Sequence, residues 1–367
     1  MVKPLKIFIA LALILVLTAG SYLAYVLTTY YRIEDYQQLV PELTGATEPG
    51  AVSVPVPAAN IPAGEKLGIT SWNIGFGAYT PEFSFFMDGG KHARGFSKEA
   101  ISENTSDITA VLEGFGSDFY LVQEVDTDAT RSYHIDQKLM LTDALEGRSS
   151  TFALNYDSPY LFYPFAEPHG KSVSGLLTIS DFEIKSAVRR SLPVQEDLAK
   201  LVDLDRCYTV SRLNTDNVKE LVLINFHLSA YTTDPTIANQ QLEMLYEDIR
   251  TEYAAGNYVI CGGDFNKDLL GDSSLYFGVS AEDLSWAQSF PFDSLPEGFT
   301  LVAPFDEASP VPSCRNADAP WNPESVFQIT IDGFIVSDNI EVVSSHVVDT
   351  DFSYSDHNPV QMEFRLK

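Results

Sequence analysis

The chain has 367 residues, 45% of them hydrophobic, and a formal net charge of −28, enough apolar material to bury one large domain. A carboxylate surplus on that scale argues against grip on nucleic acid through a broad basic face, because such binding rests on Lys and Arg neutralising phosphates, although a local basic pocket is still allowed. The 3 cysteines, Cys207, Cys261 and Cys314, show no Cys-x-x-Cys or Cys/His ligand spacing, so neither a zinc site nor a disulfide framework is expected.

Residues 1–6 carry Lys3 and Lys6, and the run from Ile7 to Leu27 that follows is uncharged, close to the roughly 20 residues that cross a bilayer. Residues 7–29 are therefore expected to form a transmembrane anchor. The two lysines before it, against Arg32 after it, favour a cytoplasmic N-terminus and an extracytoplasmic remainder. A cleaved signal peptide is the competing reading, with small residues at Ala19, Gly20 and Ser21, but the apolar run continues past them. Residues 30–66 end in a Pro-, Gly- and Ala-rich stretch that disfavours helix and ladder, so an extended linker or stalk is expected there. Folded sequence is expected over 67–367.

From Leu67 the pattern alternates. Strand-like "LGITSWNIGFG" precedes "SKEAISENTSDITAVLEGFG", where Ser97 can cap a helix whose apolar face is Ile101, Ile108, Val111 and Leu112. "DFYLVQEVD" reads as a buried strand, "NYDSPYLFYPFAEPHG" as an aromatic loop and "SGLLTISDFEIKSAVRRSLP" as a hairpin. After the strand "ELVLINFHLSA", a helix is predicted from the capping residue Asp234 and Pro235 to Gly256, and "YVICGGDF", "ITIDGFIVS" and "NPVQMEFRL" complete the strands. Apolar strands with helices between them imply layered α/β architecture.

Polar residues stand at the ends of those strands: Asn73, Glu124, His227, Asp264 with Asn266, Asp332, and Asp356 with His357. Each alone has an ordinary explanation as a turn former, an exposed end or a satisfied core histidine. Together they matter more, because strand tips on one edge of an open α/β sheet converge on one crevice.

The stretches "TSWNIG", "LVQEVD", "NFHLSA", "GGDFN", "IDGFIVS" and "SDHNPV" occur in the order and approximate spacing of the endonuclease/exonuclease/phosphatase superfamily. The chain resembles that superfamily over Leu67 to Lys367, with the deoxyribonuclease and neutral sphingomyelinase branches nearest. The resemblance implies a four-layered α/β sandwich, two central β-sheets flanked by helices. It also implies an essential magnesium ion, or manganese in its place, at Glu124 with Asn73 beside it and Asp356 in the metal environment. Asp264 and Asn266 would orient the nucleophilic water and contact the phosphate, Asp332 would pair with the active-site His357, and His227 would face a phosphate oxygen or the leaving group. The residues alone leave open whether Asp264 or His357 is the general base. The chain departs from the abasic-site enzymes at Gly75, where those carry a carboxylate, and at Val173, where they carry a tyrosine. "GGDFNKD" also departs from the inositol 5-phosphatases.

Arg131 and Lys171 are candidate phosphate contacts, with Lys91, Arg94 and Arg206 behind them, although a surface position is the commoner fate of such residues. Tyr156, Tyr160, Phe162, Tyr163 and Phe165 can line a cleft or touch a bilayer, though aromatic residues in such numbers more often belong to a core. The expected activity is metal-dependent hydrolysis of phosphate esters at a membrane, a lipid headgroup slightly preferred over nucleotides. An anchored nuclease acting on DNA or RNA is the second reading, and a catalytically silent binding member of the fold the third.

Overall fold

Apolar runs of the kind described above collapse, in the computed structural model, into two mixed sheets of seven strands each. The structure describes residues 2–30, 32–45, 56–194, 204–230, 235–279 and 286–367. One sheet has the order β1-β7-β8-β9-β10-β14-β11, and the other β15-β16-β3-β4-β6-β5-β2. In chain order the strands are β1 (Gln37–Leu39), β2 (Glu42–Leu43), β3 (Leu67–Asn73), β4 (Phe119–Asp126), β5 (Ser149–Leu161), β6 (Gly170–Ser180), β7 (Ile184–Ser191), β8 (Cys207–Asn214) and β9 (Glu220–His227). They continue with β10 (Tyr258–Asp264), β11 (Phe299–Val302), a small separate pair β12 (Cys314–Arg315) and β13 (Gln328–Ile329), then β14 (Asp332–Ser337), β15 (Ile340–Val347) and β16 (Val360–Leu366).

The two sheets pack face to face through Ile69, Leu121, Leu223, Ile260, Phe334 and Met362. Helices cover the outer faces: α2 (Lys98–Phe115) and α3 (Gln137–Ala144) lay Ile108, Leu112 and Leu141 against β3 and β4, and α4 (Pro235–Ala254) lays Leu242, Leu245 and Ile249 against β9 and β10. This is the expected four-layered sandwich, in which strands buried on both faces read as continuous apolar runs. The Ser97 side chain accepts from Ala100 N at 3.1 Å to open α2, and Gly116 closes it in the left-handed region. The predicted cap Asp234 of α4 lies outside the described residues.

Ahead of the sandwich runs α1 (Val2–Thr29), whose most apolar 18-residue window has a mean hydropathy of 2.4 and no buried residue, and which is long and apolar enough to cross a membrane.

Three expectations change. Where a free stalk was expected over 30–66, the described residues are stitched onto the domain: β1 pairs with β7, β2 pairs with β5, and Ile33, Thr44 and Ile61 are buried. The Pro- and Gly-rich composition is confined to part of this segment, and Pro41 falls between two edge strands, where a missing N–H costs little. The predicted hairpin over 174–193 is instead a crossing between sheets, since β6 pairs with β4 and β5 while β7 pairs with β8, and buried Phe182 plugs the core at the crossing. The aromatic loop is shorter than expected because β5 continues to Leu161 along β6.

Candidate functional site

Sheet register assembles the site. β9 and β10 run parallel with His227 opposite Asp264, and β14 runs antiparallel to β10 with Asp332 opposite Asp264. Three neighbouring strands therefore deliver His227, Asp264 and Asp332 in one row at one end of the sheet. β10 can pass so close to β9 because Gly263, at φ 152°, has no Cβ; a Cβ there would lie 2.0 Å from the Phe226 carbonyl oxygen. In the facing sheet, β3 ends at Asn73 opposite Gln123 of parallel β4, which places Glu124 just beyond it. A bulge in β4 between Val122 and Val125 puts Glu124 at φ 56°, a left-handed conformation that turns its side chain out of strand alternation and into the crevice. A non-glycine residue held there is a cost that surrounding structure must impose. The loop before β16 brings Asp356 and His357, anchored by Trp72 Nε1 donating to the His357 carbonyl at 2.8 Å and Ser355 Oγ donating to the Asn73 carbonyl at 2.8 Å.

The side chains interlock. Asn73 Nδ2 donates to Glu124 Oε1 at 3.3 Å and to Asp264 Oδ2 at 3.2 Å, while its Oδ1 accepts from Gly75 N at 3.0 Å. Asn73 thus bridges two carboxylates with its amine, and its oxygen is already engaged. Asp264 Oδ1 accepts from Asn266 N at 2.8 Å, and Asn266 Nδ2 donates to the Leu228 carbonyl at 2.8 Å, which pins the turn that follows β10. His357 Nδ1 lies 2.8 Å from Asp332 Oδ2, and its Nε2 is 3.8 Å from Asp264 Oδ2 and 3.5 Å from Cys314 Sγ. His227 Nε2 is 3.4 Å from the same Asp264 oxygen. Ser313 Oγ donates to Asp332 Oδ2 at 2.8 Å, leaving Asp332 Oδ1 buried with no partner.

Burial and neighbouring charge separate the titrations. Burial pushes the Asp264 carboxyl up to about 7, against the opposing pull of His357 and with a further push from Asp332. Burial likewise pushes Asp356 up to about 6, opposed by His357 and Arg315 and reinforced by Glu124. For His357 burial favours the neutral ring, but the Asp332 carboxylate, together with Cys314, opposes it and holds the imidazole well above its ordinary range. Burial, then Arg206 and His357, drives His227 well below that range. One histidine is thereby held charged and the other neutral, each beside the same carboxylate.

Among the basic candidates, Arg131 and Arg206 line the crevice. Buried Arg131 grips Asp126 through Nε at 3.1 Å and NH2 at 2.8 Å and lies 3.9 Å above the Phe76 ring centroid. Arg206 is buried and donates through NH1 to the Leu228 carbonyl at 2.9 Å, with its Nε unpartnered. Lys171 does not reach the crevice; half-exposed, it pairs with Asp128 Oδ2 at 3.3 Å. Lys91 and Arg94 are absent from the lining too, and Arg94 Nε donates to the Pro168 carbonyl at 2.6 Å.

Several lining residues were not legible in the sequence, His169 and Arg315 among them. His169, whose pKa burial and Arg131 lower to about 3, carries an unpartnered Nδ1, and buried Arg315 joins because its backbone N–H donates to the Asp356 carbonyl at 2.9 Å. Neither stands at the tip of a recognisable strand; only the folded register shows them.

The donors present suit a hard divalent cation. Glu124 and Asp356 face the crevice, and Asp264, Asp332 and His357 bring ligand atoms within 4.8 Å of one another. Oxygen-rich sets with few carboxylates match magnesium or manganese better than thiophilic metals. Gly75 adds no ligand, and it leaves no space for one: at φ 51°, a Cβ would lie 2.6 Å from the Tyr79 ring and 2.9 Å from Asp356 Oδ1.

A search of curated proteins returns no match. Among solved structures, an endonuclease/exonuclease/phosphatase from Beutenbergia cavernae is similar at 19% identity and a TM-score of 0.55, covering 82% of this chain and 72% of that one. ANGEL2, a 2′,3′-cyclic phosphatase in complex with adenosine-2′,3′-vanadate, is similar at 16% identity and a TM-score of 0.55, covering 82% and 96%. The human Nocturnin catalytic domain with a bound sulfate anion is similar at 17% identity and a TM-score of 0.52, covering 82% and 94%. The sequence itself matches the Endonuclease/Exonuclease/phosphatase family over residues 70–357, a span that begins in β3 and closes on His357. This chain belongs to the Endonuclease/Exonuclease/phosphatase family.

Proposed function

We propose that the protein is a membrane-anchored, extracytoplasmic, magnesium-dependent phosphoesterase that hydrolyses phosphodiester or phosphomonoester bonds, with a lipid headgroup as preferred substrate. The observation that carries the reading is Asp264, set between a histidine held charged and a histidine held neutral and bridged by Asn73 to Glu124. Glu124 and Asp356 would hold the ion, with Asn73 fixing the Glu124 carboxylate. Bound there, the ion would neutralise charge on the phosphate oxygens and leaving group.

This chain's own residues supply the rest. Asp264, with a carboxyl near neutral pH, takes the proton of the attacking water, in the range where a general base is most effective. His357, kept protonated by Asp332, donates to the developing phosphate charge and so is a poor base. Asn266 holds the Asp264 carboxylate through its backbone N–H. Neutral His227 faces the phosphate or leaving oxygen, and Arg206 offers an unpartnered N–H in the same crevice.

An anchored nuclease is the second reading, supported by buried Arg131, Arg206 and Arg315 in the crevice wall and opposed by the net charge of −28. A TDP2 structure complexed with single-strand DNA product, 13% identical with a TM-score of 0.51, holds a nucleic-acid product on this fold. A silent binding member has no use for Asp264 flanked by two histidines.

Full-length protein in detergent is to be assayed with magnesium, with EDTA and as Asp264→Asn, on bis-p-nitrophenyl phosphate, p-nitrophenyl phosphate, plasmid DNA and sphingomyelin. The expected result is magnesium-dependent turnover, abolished by EDTA and lowered roughly 10²–10⁴-fold in the variant. Folded protein that leaves all four substrates intact would promote the binding reading, and plasmid DNA as the preferred substrate would promote the nuclease.

A further inference from the structure

The loop between β5 and β6 exposes aromatic side chains that the site does not use: Phe162 is 50% exposed, Tyr163 66% and Phe165 86%. An aromatic cluster left in water is costly unless something covers it, and α1 identifies the cover. Its C-terminal turns lie against the end of β5 and the start of this loop. Tyr25 OH accepts from Tyr160 N at 3.1 Å, and Tyr22 OH donates to the Tyr160 carbonyl at 3.2 Å. The Tyr22 and Phe162 rings meet edge to face at 5.2 Å. Tyr22 and Tyr25 sit in the last turns of an apolar helix that ends at Thr29, the level at which tyrosines of a spanning helix occupy the headgroup region.

We propose that Phe162, Tyr163 and Phe165 seat the domain on the surface of the bilayer that α1 enters, so that the crevice opens at headgroup level onto phosphate esters carried by lipids. The inference rests on the phosphoesterase reading for the substrate, but not for the seating. Rings lead from this edge to the crevice wall: Tyr163 packs on Phe86 at 6.0 Å, and Phe86 on crevice-lining His169 at 6.2 Å. The net charge of −28 opposes docking by attraction to anionic lipids, so aromatic insertion into a neutral surface has to carry it.

The test puts full-length protein into phosphatidylcholine vesicles containing lipids brominated on the acyl chain, with tryptophan introduced as Phe165→Trp or, separately, Tyr163→Trp. Val218→Trp is the control, since Val218 is 98% exposed on the turn before β9, at the end of that strand opposite His227. Bromine quenching of the loop tryptophans beyond the parent protein, with Val218→Trp unquenched, is the expected result. Unquenched loop tryptophans, including those of a chain that fails to associate with the vesicles, would overturn the proposal. In parallel, a Phe162→Ser/Tyr163→Ser/Phe165→Ser variant is expected to keep its turnover of soluble bis-p-nitrophenyl phosphate and to lose about 10-fold or more on sphingomyelin vesicles, as removal of a few buried aromatic contacts implies. Equal loss on both substrates would assign the loop a structural role and overturn the seating. Quenching without turnover of either substrate would leave the seating intact and sink the phosphoesterase reading.

Discussion

At the scale of single residues, the decisive contrast is between the two histidines on Asp264. Asp332 keeps His357 charged, and burial keeps His227 neutral. Because a protonated Asp264 cannot take a proton, kcat/KM on a soluble phosphodiester is expected to rise with pH through an apparent pKa near 7. In Asp332→Asn the larger of the partners that oppose burial is lost, so the His357 pKa falls. Activity should then drop roughly 10²-fold, with an alkaline limb moving down toward neutral pH, and pH–rate profiles of the two proteins check this. An Asp332→Asn profile displaced in height alone would show that Asp332 does not control His357. The strand-tip residues were legible in the sequence because each ends a recognisable apolar run. The Asn73 bridge was not, since it depends on the amide facing Glu124 and Asp264 across two sheets.

At the scale of elements, periodicity identified the strands and helices that carry their own signals: β3, α2, β9, α4 and β10. It failed where partners decide. β7 reads as the return arm of a hairpin until Phe182 is seen plugging the space between sheets, and β1 and β2 are too short to be read without the edges they complete. Those edge strands have an energetic consequence. Ile33 and Ile61 are buried, Arg189 NH1 donates to the Glu34 carbonyl at 3.3 Å, and Arg190 Nε to Asp35 Oδ1 at 3.0 Å. A buried isoleucine contributes about 1.5–3 kcal/mol, so a chain cut to begin at Leu67 is expected to melt several degrees below one that begins at Tyr30, in paired thermal unfolding curves. Equal melting temperatures would return 30–66 to the role of a passive tether.

At the scale of the whole molecule, the site is an electrostatic burden on the fold. Unfolded, Asp264 and Asp356 ionise near the ordinary value of 3.8, but folded they do so near 7 and 6. Well below pH 3.8 both are protonated in either state, and as pH rises the unfolded chain releases its protons first, so stability declines until the folded pKa values are passed. In EDTA the melting temperature is therefore expected to fall between pH 5 and pH 8. Asp264→Asn, neutral at every pH, should flatten that fall and melt higher than the parent at pH 8 by at least about 2 °C while losing activity; a variant that tracks the parent at both pH values would refute the burden. The docking of the segment after α1 adds a mechanical consequence. Tyr30 OH bonds Asp205 Oδ1 at 3.0 Å, Arg32 NH2 bonds the Leu192 carbonyl at 3.0 Å, and β1 begins at Gln37, so among the described residues the chain is tied to the domain directly after the helix. Ties of that kind are expected to make the two turn as one body, so that the crevice keeps a constant heading relative to the helix axis, like a tool clamped to its shaft.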